Sequence, residues 1–519
     1  MVKTAAPSPD ATPISAKTPV RALIEERASQ HGESTFLLMA RSDQRVTFAQ
    51  LRERIDQWRD VLDAQGLRSG DSIALVIGEP VALATCLLAL LAVGAWAAPL
   101  DPALALGPSA LLNARLDSLK VRWVISDQAV PQGTSHAWCS VSSRTFAGHA
   151  RAGGQTTRPF GGGVILATSG STGTPKVTLL AVRQLLDNAS LVAHHNEFGP
   201  LSRGLNPLPL WHVNAEVVAL LASLVASASL VLDDRFHRSG FWAVVDRFDI
   251  NWINAVPAII ARLATLREGE KVPEGVRFIR SASAPLPAAL LEKFETTFRI
   301  PVIESYGMTE AASQICANDL AGPRKPGSVG RPVGVELRVR CDTDQANGGE
   351  RVGEIEIRGS TVIRRYEGTG HEDRFDKDGW LRTGDIGYVD EDGFVFLVGR
   401  SDDVINRGGE KFFPREVEEL ILDLDDVVDA AVIGVPDEVF GHVAVLYVQL
   451  RKVTASTPLD QVRAMIHELD AIFVSCLSRA RRPIAIYVVE TMPRHATGKI
   501  LRKALGTDQA PAIFLETLA

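Results

Sequence analysis

Apolar residues fall on a helical period over Phe48–Gln65. Short β-branched runs at Ile73–Ile77, Val121–Ile125 and Val164–Ala167 read as strands, with helical patterns before and between them. Alternation of this kind predicts α/β layers with buried parallel strands. Val81–Leu100 carries no charge and has about the length that spans a bilayer. It is Ala-rich, however, has Gly94 past its middle, ends at Pro99-Leu100-Asp101 and lacks a basic flank. A buried helix from Val81 to about Leu91, then a strand near Ala95–Pro99, fits better. The membrane-inserted alternative predicts recovery in the membrane fraction. Val217–Leu232 likewise reads as core helix plus strand.

After about Gly330 the texture changes. "GVELRVR", "GEIEIRG" and "GYVDEDGFVFLVGR" are short strand patterns, with Asp392-Gly393 as a hairpin signal. They predict a small β-rich subdomain over 330–400. Beyond Ser401, "FPREVEELILDLDDVVDAAVIGVPD" reads as helix, strand and a Gly-Val-Pro-Asp turn. "GHVAVLYVQL" is a strand and Gln461–Leu477 a helix. Together they make a separate α+β module over 402–519.

The chain has 519 residues, 46% of them hydrophobic, which is enough for two or three compact units. A net charge of −7 gives no basic patch for nucleic acid. Cys86, Cys139, Cys316, Cys341 and Cys476 are odd in number and widely spaced, without a CxxC. That argues against a disulfide framework or zinc and fits a cytoplasmic setting. Residues 1–18 are rich in Ala, Pro, Ser and Thr, read as a disordered lead-in, and lack a secretory apolar stretch. The large domain then covers 19–401.

Five motifs carry chemistry. In Thr168-Ser169-Gly170-Ser171-Thr172-Gly173-Thr174-Pro175-Lys176, after a strand, small hydroxyl residues and glycines can converge on a phosphate, with a lysine at the end. The spacing is not the Walker pattern, and a flexible Ser/Thr loop is the plain alternative. In Glu304-Ser305-Tyr306-Gly307-Met308-Thr309-Glu310, glycine permits close backbone approach, tyrosine can stack on a base and Glu310 can hold magnesium through oxygen. A buried tyrosine with a capping Thr-Glu explains the same letters. Asp385 in "GWLRTGD" can accept from ribose hydroxyls, or is a turn aspartate. Asn406-Arg407-Gly408-Gly409-Glu410-Lys411 is a glycine turn before a helix, and Lys499 lies in "PRHATGKILR".

Taken together, in this order and at these separations, the motifs resemble the adenylate-forming superfamily of acyl-CoA synthetases, nonribosomal adenylation domains and beetle luciferases. The likeness runs from about Thr18 to Lys503. Within the superfamily the chain looks most like the medium-length acyl- and aryl-CoA ligases, and "KPGSVGRPVG" and "NRGGEKFFPREVE" are especially similar to small-acid and fatty-acid members, including oxalyl-CoA-synthetase-like proteins.

The resemblance implies a large N-terminal domain, built of two α/β layers and the β-rich subdomain, and a mobile C-terminal domain hinged at Asp402. It implies that Thr168–Lys176 hold the ATP phosphates and that Ser283, Ala284 and Pro285 lie against adenine with Tyr306 stacked on it. Asp385 and Arg400 would bind ribose, and Glu310, with Thr172 nearby, would bind Mg2+. Lys499 would enter for adenylation. The Arg407, Gly408, Gly409, Glu410 loop would replace it when coenzyme A attacks. The acid would be bounded by Trp211, His212, Val213, Asn214, Val256, Pro257, Ala258, Ser281, Ala282 and the stretch Gly307, Met308, Thr309, Glu310, Ala311, Ala312, Ser313. His212 reads as packing beside the carboxylate rather than as a base. Phe440 falls near the coenzyme A arm of some relatives, or is core. The expected state is monomer or homodimer.

The chain departs from the family where Lys176 is followed by Val177 rather than Gly, and where Ala282 and Ser283 replace a glycine-rich stretch. Two other readings stay open: an acyl-AMP ligase loading a carrier-protein phosphopantetheine, and a non-catalytic nucleotide- or acyl-binding relative. An amino-acid adenylation domain fits less well, because no "FDxS"-like segment offers an aspartate for an α-amino group.

Overall fold

The computed structural model describes residues 18–518 apart from 130, 132, 134–135, 145, 148–157, 169–175, 267–269, 342–345, 348–349, 369, 423, 452, 495–497 and 507–511. Thr18, expected in the lead-in, instead caps the helix Pro19–His31: its hydroxyl accepts from Arg21 N–H and donates to the Ala92 carbonyl at 2.9 Å.

Two sheets share one helical layer. A seven-stranded sheet runs Phe146–Ala147, Ala137–Ser140, Trp123–Ser126, Ser72–Val76, Trp96–Pro99, Gly163–Thr168, Lys176–Ala181. A nine-stranded sheet has at its centre the parallel strands Val302–Met308, Phe278–Ser281, Trp252–Ala255, Arg203–Asn206, Ser229–Leu232 and Thr35–Met39. The helix Pro80–Ala92 packs on strands of both sheets and on the helices Pro19–His31 and Phe48–Ala64. That placement accounts for its uncharged sequence: every residue but Ala82 is buried, so no face needs polarity. Among the described residues, no helix is long and apolar enough to cross a membrane. The second uncharged run forms the wide-turned helix Asn214–Leu221, its extension Ala222–Val225 and the strand Ser229–Leu232.

The β-rich segment is a four-stranded antiparallel sheet of Glu336–Arg340, Gly353–Arg358, Leu381–Val389 and Val395–Arg400. The last two strands join at the expected Asp-Gly turn, where Gly393 has φ +82°. After a short turn at Ser401–Asp403 comes a separate sheet containing Ile405–Arg407, Val427–Asp437, Gly441–Leu450 and Ala485–Val489, packed under the helices Pro414–Leu422 and Leu459–Cys476.

The expected Gly-Val-Pro-Asp turn is not one. Gly434–Asp437 continue the strand in register with Gly441–Ala444. Among the described residues the strand pairs on one side only, and an edge tolerates the missing N–H of Pro436. All five cysteines are free thiols. The C-terminal module meets the large domain where Phe413 packs against Gly399 and Arg415 donates to the Leu397 carbonyl at 2.8 Å.

Candidate active site

The strand Val302–Met308 delivers Glu304 and Tyr306 to one face. Gly307 must stay glycine: a Cβ there would lie 1.7 Å from the Ser313 carbonyl oxygen on the paired strand. The Tyr306 hydroxyl donates to Asp385, and burial followed by that carboxylate pushes the phenol's pKa well up. Asp385 and Arg400 face each other across an antiparallel pair, and Arg400 Nη1 donates to Asp385 Oδ1 at 2.8 Å. Glu304 is buried; desolvation pushes its carboxyl up to about 7, with Arg415 opposing.

Glu310 is buried in the turn Thr309–Ala311, and its Oε1 accepts from the Tyr366 hydroxyl at 2.8 Å. Lys176 Nζ sits 5.5 Å over the Tyr366 ring. Burial lowers the Lys176 pKa, Arg374 adds to that, and Glu310 and Asp402 oppose it. Thr168 pairs with Lys176 in register. Ser169, Gly170, Ser171, Thr172 and Gly173 lie outside the described residues. Val177, the departure from the family pattern, is part of the strand Lys176–Ala181, and its carbonyl accepts from Glu367 N–H at 2.9 Å. Its backbone is extended, a conformation that suits a β-branched residue.

Lys499 reaches this group from the far end of the chain. Gly498, at φ +84°, passes so close to Val256 that a Cβ would stand 3.2 Å from its side chain. Lys499 is exposed, yet surrounding protein desolvates its ammonium and lowers the pKa; Asp385 and Glu310 raise it and Arg400 lowers it further. Lys176, Tyr306, Glu310, Asp385, Arg400 and Lys499 therefore form one electrostatic neighbourhood.

Beside it lies a shallow depression lined by Leu208, Pro209, His212, Asn214, Ala215, Val256 and Ser283. Trp211 lines the adjoining depression, with its ring 6.3 Å from that of His212. Asn214 Nδ2 meets Ser283 Oγ at 3.5 Å, and Asn254 Nδ2 meets Asn214 Oδ1 at 3.3 Å. Three of the residues expected at the nucleotide and acid sites hold left-handed backbone: Ser283 at φ +75°, Ala312 at +53° and Ser313 at +101°. Val213, Ala282, Ala284, Met308 and Thr309 are half-buried, Ser281 and Ser305 are buried, and Pro285 is exposed.

The Arg407–Glu410 loop makes its contacts within the C-terminal module. Arg407 Nη1 donates to the Arg479 and Arg482 carbonyls, both at 3.1 Å, and Glu410 pairs with Arg481 at 2.8 Å. Gly408 and Gly409 hold φ +61° and +97°. Phe440 is not core: it is exposed, and the Arg407 guanidinium lies 5.3 Å from its ring centroid. Asp402 sits in the turn between the two parts and acts electrostatically on Lys176 and Arg400.

Sequence reading missed Tyr366 and Arg374, which no motif marked. It also missed Glu216 and Arg280, whose signal was a charge inside an apolar run.

Residues 24–367 match the family model for AMP-binding enzymes, and residues 416–499 match that for the AMP-binding enzyme C-terminal domain. The chain is 35% identical to a sulfoacetate–CoA ligase of Cupriavidus necator, covering 93% of this chain and 96% of that one. It is 32% identical to an oxalate–CoA ligase of Arabidopsis thaliana, covering 88% and 92%. Among solved structures, o-succinylbenzoate CoA synthetase of Bacillus subtilis with its acyl-adenylate superposes with a TM-score of 0.79 at 27% identity, over 94% and 98% of the two chains. The same enzyme with ATP and magnesium gives 0.77 at 27% identity, over 93% and 99%.

Proposed function

The chain belongs to the AMP-binding enzyme family, and on that premise we propose that the residues gathered around Asp385 and Lys499 run both halves of an acid–thiol ligation. The enzyme is an AMP-forming acyl-CoA synthetase: a carboxylate attacks the α-phosphorus of ATP, pyrophosphate leaves, and the thiol of coenzyme A displaces AMP.

In our reading, Tyr306 and the Ser283–Pro285 turn bind adenine, and Asp385 with Arg400 binds ribose. The 168–176 loop and Lys176 hold the β- and γ-phosphates. Glu310 is a hard oxygen donor, buried beside the lysine, and fits magnesium, with Thr172 as its partner. Magnesium supplies positive charge against the triphosphate. Both reactants are anions, so the barrier is mainly one of charge and alignment. Lys499 meets that barrier by placing an ammonium at the α-phosphate, with no general base and no covalent enzyme intermediate. His212, Asn214, Val256 and Ser283 border the acid, and the mix of aromatic (Trp211), small (Ala258, Ala282) and polar (Asn214) side chains there suits a small or medium organic acid. For the second half, the C-terminal module turns about Asp402, withdrawing Lys499 and bringing the Arg407–Glu410 loop to the thiol's path.

One observation carries this reading: the C-terminal loop that bears Lys499 lies against the large domain, with Gly498 so close to Val256 that a Cβ would stand 3.2 Å from its side chain, and there Asp385, Arg400 and Glu310 act on the Lys499 ammonium. The test is pyrophosphate–ATP exchange across a panel of short acids, followed by AMP release on adding coenzyme A or a carrier protein. Acid-dependent exchange with release by free coenzyme A is expected. Nucleotide binding without exchange for any acid would instead identify a non-catalytic binding protein, and release by carrier protein alone would change the acceptor.

A further inference from the structure

The floor beneath the acid depression is unusual for a protein core. Asn206, Asn254 and Arg280 stand side by side on three adjacent parallel strands. Asn254 links this row to Asn214 of the depression wall, and donates at 2.9 Å to Asn206. Arg280 is 2% exposed. Its Nη2 donates to Ser305 Oγ at 3.0 Å, while Nε and Nη1 have no partner among the described residues.

A guanidinium is strongly basic and has five donors. Burying one against a single neutral hydroxyl leaves its charge uncompensated, an arrangement that is costly unless an anion completes it. Burial pushes the Arg280 pKa down to about 9, so it stays a cation at neutral pH, and among the described residues no nearby carboxylate opposes the shift. Gln314 is buried nearby on the strand paired with Val302–Met308, and both its side-chain amide atoms lack partners among the described residues. Glu216, in the helix over this floor, is fully buried; desolvation raises its carboxyl to about 8, which keeps it neutral at pH 7. Among the described residues, the groups facing the floor are thus one cation and several neutral hydrogen-bonding groups.

We propose that Arg280 is the specificity residue of the acid pocket and that the substrate is a short acid carrying a second anionic group, which the Arg280 guanidinium receives. The proposal rests on the carboxylate-activating reading above. The reacting carboxylate lies toward Lys499, and the second anion points inward past the 3.5 Å contact of Asn214 with Ser283, which the acid parts on entry. An acid ending in a methyl group would leave the guanidinium desolvated and unpaired.

The test compares matched pairs of acids by pyrophosphate–ATP exchange: oxalate with acetate, malonate with propionate, succinate with butyrate. For at least one pair the wild type should favour the diacid by about a hundredfold or more in kcat/KM. Arg280→Met should collapse that ratio to within about tenfold, and Arg280→Lys should restore part of it. If Arg280→Met does not fold, a tenfold or greater rise in the diacid KM for Arg280→Lys carries the same information. A monoacid preferred in every pair, or a diacid ratio that Arg280→Met leaves unchanged, overturns the assignment while carboxylate activation stands. Exchange with none of the acids overturns both.

Discussion

The Tyr306 hydroxyl donates to the Asp385 carboxylate, which also receives Arg400. This joins the end of a central parallel strand to the antiparallel β-rich sheet, 79 residues later in the chain. If Asp385 holds the ribose, Asp385→Asn should raise the KM for ATP by about tenfold to a hundredfold, since a hydrogen bond to a charged group is lost. Tyr306→Phe keeps the ring for stacking and loses one donor, so its effect should be roughly threefold to tenfold. Pyrophosphate exchange at varied ATP checks both. A Tyr306→Phe defect larger than that of Asp385→Asn would show that the phenol, not the carboxylate, carries nucleotide binding.

In the proposed scheme Lys499 belongs to the adenylate-forming half-reaction and leaves the site for the second. Lys499→Ala should reduce acyl-adenylate formation by a hundredfold or more, on the order seen when one charge-stabilising donor is removed. Transfer from preformed acyl-AMP to coenzyme A should stay within a few-fold of wild type. Single-turnover assays of the two halves separate these outcomes. Equal losses in both would argue against a C-terminal module that turns between them.

How much of this was legible in the letters depends on the range of the interaction. The strands at 72–76, 123–126 and 163–168 follow from local runs of apolar residues. The helix Pro80–Ala92 was readable too, because Gly94 and Pro99 break an uncharged stretch of bilayer length into a short helix and a strand, and the helix is apolar on every face. Pro436 misled because an edge strand and a turn both tolerate proline, and only pairing with the next strand tells them apart. Tyr366 was silent: nothing local marks a residue that meets Glu310 across 56 positions. Arg280 and Glu216 were visible as charges inside apolar runs, but pattern alone does not say whether such a charge is buried without a partner.

Gly307 offers a direct test of the strand pairing that holds Tyr306 in place. In Gly307→Ala, the new methyl would stand 1.7 Å from one backbone atom of Ser313 and 2.6 Å from another. Backbone cannot rotate aside as a side chain can, so the strands Val302–Met308 and Ser313–Ala317 must separate. A loss of about 1–3 kcal/mol in urea unfolding, together with weaker ATP binding, is expected. Unchanged stability with unchanged ATP affinity would mean that the two strands are not this close.

Glu216 gives the chain a pH dependence of defined sign. Its carboxyl moves from an ordinary 4.5 up to about 8 because burial disfavours the charged form. The unfolded chain therefore releases this proton first. Between about pH 4.5 and 8 the native state holds more protons than the unfolded one, so stability falls as pH rises through that window. The full effect is on the order of 4–5 kcal/mol, reached above pH 8. Glu216→Gln removes the titration and keeps the shape. The variant should match the wild type within about 1 kcal/mol near pH 5 and exceed it by several kcal/mol near pH 8. Urea unfolding at pH 5, 6.5 and 8 reads this directly. Parallel pH profiles for the two proteins would mean that the carboxylate finds a partner in solution and ionises at its usual pH.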